Sequence, residues 1–494
     1  MQVWNEIVQS ALVGTQKLPL QISTVNNQLA DAIRTIQQNN SIDYEEQCLQ
    51  IGSIVHQYQQ TGIQFSKYEN VSIAVAEQEL LPYCNTNSQQ LLIDALAEKS
   101  DFFTTLWLQL CTEKQQIIAP QALPQILNKT AQDKKLQPLV LKCMGKRGEW
   151  LCKFNTEWQF ANTISDEELW QTGSLAQRKQ IIQRISSENI ELAISWIQQT
   201  WPQENAATKT AFLEAIQEHV ADLSNSDWLH HLLSEKSVQV KNMVVTLLKK
   251  IPTSTIIKQY QSIVQESISV KKEKTLLGLS SKQVLHIQLS NPIPPEIFTT
   301  GIQSISNSKD ISDETFIMFQ LLQHTPPQAL EAALQLDVDT IVQFFIQQKN
   351  IQPYLQALIH ATVQFKNQKW AAAIMQQSKA LYIELLPLLP IQQQEKYSIQ
   401  FFKNNEYTII KNACNWQQEW SVEFTRLCIP FYAENPSMHS IFLNKAIACI
   451  SSSCIHSIHL YTPSDAYKAN LWQSNQEALK RLLQLKQNII QSFQ

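Results

Sequence analysis

Glycine is nearly absent from this chain: of 494 residues eight are glycine, and none follows Gly301. Tight β-turns and phosphate-cradling loops depend on glycine, because it alone reaches positive φ at little cost. Its scarcity points to helices joined by turns of Asn, Ser, Asp and Pro. Apolar spacing agrees. In "NEIVQSALVGT" the residues Ile7, Val8, Ala11 and Leu12 form one helical stripe. Helix starts are marked at "SDEELW" (165–170), where Ser165 and Glu168 have capping-box spacing, and again at "SDETFIMF" (312–319) and "TPSDAYKANLW" (462–472). Most prolines fall between apolar-periodic runs, where a helix has to stop or start.

A repeat is visible in "AQRKQIIQRI" (176–185), "AATKTAFLEAI" (206–216) and "VQVKNMVVTLL" (238–248). Arg178, Lys209 and Lys241 align at spacings of 31 and 32 residues, and Ile181, Phe212 and Val244 follow in step. Between them lie "ELAISWIQQTW" and "SDWLHHLLSEK", each with its own apolar stripe. One helix pair per repeat predicts a mainly α fold, a HEAT-like α-solenoid of stacked helix pairs. One segment departs from it. Leu285, Ile287 and Leu289 alternate with Val284, His286 and Gln288, which predicts a small β-hairpin near 268–289. The expected organisation is an N-terminal helical region (1–164), a repeat region (165–255), a linker carrying the hairpin (256–311) and a C-terminal helical region (312–494).

The polar surface is built from 64 glutamines more than from charge; charged residues make up 17%. Formal net charge is −4, and only six of the 39 basic residues are arginine. Nucleic-acid binding draws most of its affinity from phosphate neutralisation. No basic excess supports it here, although Lys209, Lys241, Lys249 and Lys250 could form a basic row on one face. Nine scattered cysteines fit a reducing compartment. The start lacks a basic region followed by an apolar one, and "LYIELLPLLPI" (381–391) is too short to span a bilayer, so a cytoplasmic protein is expected. No Walker-type loop, GxSxG, HExxH or CxxC is present, and the chain reads as a non-enzyme without cofactor. "CISSSCIHSIH" holds Cys449, Cys454, His456 and His459 within eleven residues, too tight for the usual two-pair zinc site, so core packing is expected and no metal. His230 and His231 point about 100° apart on a helix and do not share a metal.

"GKRGEWLCKFNTEW" (145–158) spends two of the eight glycines three residues apart, around an arginine. The preceding "LQPLVLKCM" predicts a helix ending before Gly145, with that glycine in the left-handed region. Gly148 then permits a second sharp turn or the close approach of another backbone. Arg147 is expected in a corner between helices, donating to helix C-terminal carbonyls or a carboxylate, with Trp150 and Trp158 sealing the layers. The competing reading is a docking surface, since Trp and Arg dominate interface hot spots.

"ALVGTQ", "APQALPQIL" (119–127), this motif and "RKQIIQRI…EKSVQVKNMVVTLLKKIP" follow in order. Together they resemble a bacterial family of long helical proteins known only as a numbered domain of unknown function, closely over about 1–255. The family's motif is G-x-R-G-x-W-L followed by N-x-x-W. Here it falls on Gly145, Arg147, Gly148, Trp150, Leu151, Asn155 and Trp158, with Lys146 between the first two; Thr156 replaces the usual proline. The resemblance implies genes encoded beside a MoxR-type AAA+ ATPase, a von Willebrand A-domain protein and a SWIM zinc-finger protein. The function expected is a helical-repeat scaffold binding protein partners, one of that AAA+/von Willebrand A-domain system among them. A nucleic-acid-binding HEAT-like protein and an enzyme with an interhelical site are the alternatives.

Overall fold

The computed structural model describes residues 2–22, 27–61, 75–161, 165–274, 281–416 and 418–494. The chain divides into two units, Met1–Val75 and Ala76–Gln494. In the first, helices Gln2–Val13, Asn27–Gln37 and Tyr44–Thr61 close around Ile7, Leu29, Ile33, Cys48, Ile51 and Val55. The stripe expected on the first helix is not the one it buries. Ile7 and Ser10 face the core, while Val8, Ala11 and Leu12 are exposed. Apolar residues lie on both sides of this helix, so spacing alone could not choose the buried face.

The second unit is mostly helical, and its helices stack in sequence order. Helix Leu175–Glu188 packs on Ile190–Thr200 and Ala206–Ala215, and the last of these packs on Val238–Leu248. Local capping explains where they begin. Ser165, Asn189, Asn205, Ser237, Ser254 and Ser312 each accept a backbone N–H three residues on. At "TPSDAY" the cap is Asp465, not the serine before it. The reciprocal capping box falls at Ser174 and Gln177.

The aligned basic residues share surroundings as well as spacing. Arg178 lies 4.4 Å from the Trp170 ring and 4.8 Å from the Phe212 ring, which pack on each other at 4.9 Å, and it pairs with Glu204 at 2.6 Å. Lys209 lies 5.0 Å above Trp201 and pairs with Glu235 at 2.9 Å; Trp201 Nε1 donates to the same carboxylate oxygen. Tryptophan, cation and carboxylate thus recur together, each joining one helix layer to the next. A cation over a desolvated ring contributes about 1–2 kcal/mol. Lys241 makes no such ion pair among the described residues. The stack gives way to the expected hairpin soon after: β1 (Ile268–Lys274) and β2 (Ser281–Ile287) pair antiparallel, Val270 opposite Leu285. Leu285 and Leu289 are buried, as the alternation requires.

Two cores serve this unit. One runs from Trp170 to Tyr397. The other combines residues 84–152 with residues 402–493. The long helix Ala466–Ser492 packs on Thr86–Ala97 and Asp101–Glu113, so the unit's first and last helices share an interior. Arg481 forms a two-pronged pair with Glu98 across this joint, and Asn85 donates to the Ser492 carbonyl at 3.1 Å. Lys486 is buried there, donating to the carbonyls of Ala448 and Ile450 at 2.8 and 3.0 Å and pairing with Glu419 at 2.6 Å. No helix among the described residues is long and apolar enough to cross a membrane.

Candidate functional site

The 145–158 motif sits where helix Gln137–Cys143 ends and helix Gly145–Cys152 begins. Gly145 has φ +63°, the left-handed conformation expected of it. The new helix brings no capping side chain of its own. Glu79 supplies one from outside: its carboxylate accepts the backbone N–H of Lys146 at 2.7 Å and of Arg147 at 2.8 Å. A carboxylate on the first amides of a helix is favourable both as a hydrogen bond and against the helix dipole. A Cβ at Gly145 would lie 2.5 Å from Glu79 Oε2, so this glycine is required twice, by its φ and by that approach. Gly148 makes no second turn. It lies inside the helix, where a Cβ would come within 2.5 Å of Met144 Cβ. The close approach expected there is real, but the neighbour is a side chain.

Arg147 departs from the corner expected for it. Its main chain binds Glu79 while its side chain is exposed, and the guanidinium makes no hydrogen bond or ion pair among the described residues. Lys146, by contrast, pairs with Glu149 at 2.9 Å and reaches Glu77 at 4.0 Å; Glu149 raises its pKa. Trp150 is half-buried with its ring edge-on to Phe154 at 4.9 Å, and Phe154 is exposed. Asn155 organises the turn that follows: its side chain accepts from Glu157 N–H and its carbonyl from Trp158 N–H, both at 3.0 Å. Trp158 packs on the second core and donates from Nε1 to Asn128 Oδ1 at 2.8 Å.

Asn128 also lines a groove of about 650 Å³ between helices Thr86–Ala97 and Leu123–Gln132, beside the Lys129–Asp101 ion pair. Leu80 and Leu81, next to the capping Glu79, are exposed. The motif therefore presents an exposed guanidinium with no partner among the described residues, on a capped helix followed by the exposed Phe154, with Leu80 and Leu81 exposed beside the capping Glu79. Sequence reasoning missed Glu79, Asn128 and Leu80, since no local pattern ties them to the motif.

Elsewhere the expectations resolve as follows. "ALVGTQ" contributes Val13 to Gln16 to a polar groove of about 760 Å³ in the first unit. Cys449 and Cys454 are buried and free while His456 and His459 are exposed, so the four do not converge. Among the described residues no group of three or more His, Cys, Asp or Glu is placed to hold a metal. His230 is half-buried beside Thr255, and burial lowers its pKa; His231 is exposed. The four lysines do not make a free basic row: Lys209 is paired, Lys250 donates to the Gln217 carbonyl at 3.4 Å, and Lys241 and Lys249 are half-buried. A polar cluster not foreseen surrounds Lys249. His324 bonds Gln364 at 3.1 Å, Gln364 donates to the Lys249 carbonyl at 2.7 Å, and Tyr260 bonds Thr300. Burial, helped by Lys249, pushes His324 down to about 4.

Fold and site together define a mostly α-helical protein of stacked helices with a capped, arginine-bearing surface motif. Comparison with known families then places it: a family of unknown function, DUF5691, matches residues 6–493, and the chain belongs to it. The match extends well past the region where the motifs lie. No curated protein and no solved structure matches the chain.

Proposed function

We propose that this chain is a non-enzymatic, cytoplasmic scaffold of a bacterial cell, built from HEAT-like repeats and binding protein partners through the 145–158 motif. The observation that carries the reading is the guanidinium of Arg147, exposed and without a hydrogen bond or ion pair among the described residues. Arg178, Arg184 and Arg481 each meet a carboxylate. Arg147 instead has no hydrogen bond or ion pair from its side chain among the described residues, on a helix whose first amides are fixed by Glu79 and which carries Trp150 ahead of the exposed Phe154. A fixed helix lowers the ordering cost of binding, and an arginine flanked by aromatic area is the composition of an interface hot spot. The resemblance of the motif to its family supplies the partner class, an AAA+ ATPase of MoxR type or the von Willebrand A-domain protein encoded beside it.

The test is affinity purification of tagged wild-type and R147A proteins from the native host, with mass spectrometry. The ATPase or the von Willebrand A-domain protein is expected with the wild type and lost with a variant that keeps its fold. If neither copurifies, or the variant retains them equally, the motif is not the docking surface.

A further inference from the structure

A second surface stands apart from the motif, in a pocket of about 540 Å³ at the joint between the first and last helices of the second unit. Lys99 and Ser100 line it from the link between helices Thr86–Ala97 and Asp101–Glu113, His439 and Ser440 from the start of helix His439–Asn444, and Arg481 from helix Ala466–Ser492. Two contacts pin these segments together: the two-pronged pair of Arg481 with Glu98, and Ser100 Oγ, which donates to the Asn444 carbonyl at 3.2 Å. Charge sets this pocket apart from other grooves of the unit. The groove near Trp158 sets Asp101 and Asp133 against Lys129, and the one beside Trp228 holds Glu191 and Asp227 with no cation. Here Lys99 and Arg481 accompany Glu98, the one carboxylate in the lining.

The donors here are accessible. Lys99 and His439 are exposed, and the Arg481 side chain is 61% exposed. Lys99 makes no hydrogen bond or ion pair among the described residues. Arg481 gives Glu98 one N–H from Nη1 and one from Nη2, which fixes the guanidinium plane and leaves the rest of its N–H groups open. His439 is oriented from the interior. Tyr432 is buried, and its hydroxyl lies 2.9 Å from His439 Nδ1 with no other acceptor among the described residues. A buried hydroxyl proton needs that acceptor, so Nδ1 accepts and the neutral ring carries its proton on Nε2. Lys99, His439 and Arg481 therefore all bring donors to one pocket.

These groups restrict the occupant. Donors from three chain segments, two of them cationic, suit a ligand with negative charge and several acceptor oxygens. A carboxylate offers two oxygens and one charge. A phosphate monoester offers three oxygens and about two charges at neutral pH, and it answers all three donors at once. A nucleic-acid strand calls for cations along a track, whereas these are confined to a pocket of the size that encloses one small molecule. Leu443, Ala478 and Leu482 add apolar wall to the same pocket. We propose that it binds a small phosphate monoester, with Lys99, His439 and Arg481 holding the phosphoryl oxygens and the organic part lying against Leu443, Ala478 and Leu482. This inference does not rest on the motif, and it holds or fails whether or not Arg147 docks a partner.

The probe is phenyl phosphate, titrated onto the full chain and followed by saturation transfer from the protein to the phenyl protons. The expected dissociation constant is on the order of millimolar for so small a ligand, with benzoate binding roughly fivefold or more weakly. Lys99→Met removes a cation that holds nothing in the fold, and it should weaken phenyl phosphate roughly five- to tenfold. Lys271→Met alters an exposed lysine on β1 that does not line the pocket, and it should leave binding unchanged. Four results would each overturn the proposal: no transfer at tens of millimolar phenyl phosphate, benzoate binding equally well, undiminished binding by Lys99→Met, or an equal loss in Lys271→Met.

Discussion

Gly145→Ala tests the account of the motif most directly. The substitution acts twice. An alanine at φ +63° sits in the left-handed region, which costs about 1–2 kcal/mol. Its Cβ would also lie 2.5 Å from Glu79 Oε2, so the carboxylate must withdraw from the amides of Lys146 and Arg147. Each of those bonds is worth about 1 kcal/mol at a half-buried carboxylate, after allowance for solvent. Gly145→Ala should therefore cost about 3–4 kcal/mol locally, and Glu79→Ala about 2 kcal/mol, the capping share alone. In the Glu79→Ala background the glycine substitution should fall to its strain of about 1–2 kcal/mol. A chain of this length need not unfold in one step, so the readout is amide hydrogen exchange across 145–152, where 2 kcal/mol is about thirtyfold in protection. Additive costs in the double variant, or a Gly145→Ala protein with unchanged protection, would refute the claim that one carboxylate holds this helix start.

Other perturbations follow from the same structure. Arg147→Ala should leave stability within about 0.5 kcal/mol, because the side chain it removes is exposed and bonded to nothing described; a large fall in melting temperature would contradict the free guanidinium. Arg178→Ala should cost about 3 kcal/mol by leaving Glu204 part-buried and uncompensated, and Arg178→Met with Glu204→Gln should recover most of it, as thermal melts would report. Lys486→Met should cost about 2–4 kcal/mol, since the carbonyls of Ala448 and Ile450 lose their donor; an unchanged melt would deny that role. His324 stays neutral in the folded chain down to about 4, while unfolded histidine takes its proton near 6.5. Protons therefore favour the unfolded state between those values, and stability falls by about 3 kcal/mol as pH drops from 6.5 towards 4. The His324→Gln protein should lose that part of the pH slope in denaturant titrations, and an identical slope would count against a buried neutral histidine.

What the sequence disclosed was set by the range of the interaction. Ser165 and Ser312 are recognisable as caps because the amide they bind is three residues away. The hairpin is readable because alternation at Leu285 and Leu289 is itself the physics of a half-buried strand. The aligned Arg178 and Lys209 announce a shared role, although their carboxylates lie a helix pair further on. Beyond that range the signal fades. Nothing near residue 145 points to Glu79, and nothing in 84–152 announces that its core is completed by 402–493. The one-sided stripe on the first helix failed for a different reason: both of its faces are apolar enough to bury, and only the neighbouring helices decide.

The motif also shows why a single stretch can serve architecture and binding without conflict. Gly145 and Gly148 are consumed by contacts with Glu79 and Met144, and Asn155 and Trp158 by the turn and by Asn128. Every one of these acts on the main chain or the interior. Arg147 gives its amide to the same purpose and keeps its side chain outside it. Losing the glycine should therefore loosen the helix and with it any partner, whereas losing the guanidinium should affect the partner alone. Weakened binding by both variants, with disturbed exchange in only one, is the pattern that separates a docking side chain from the frame that presents it.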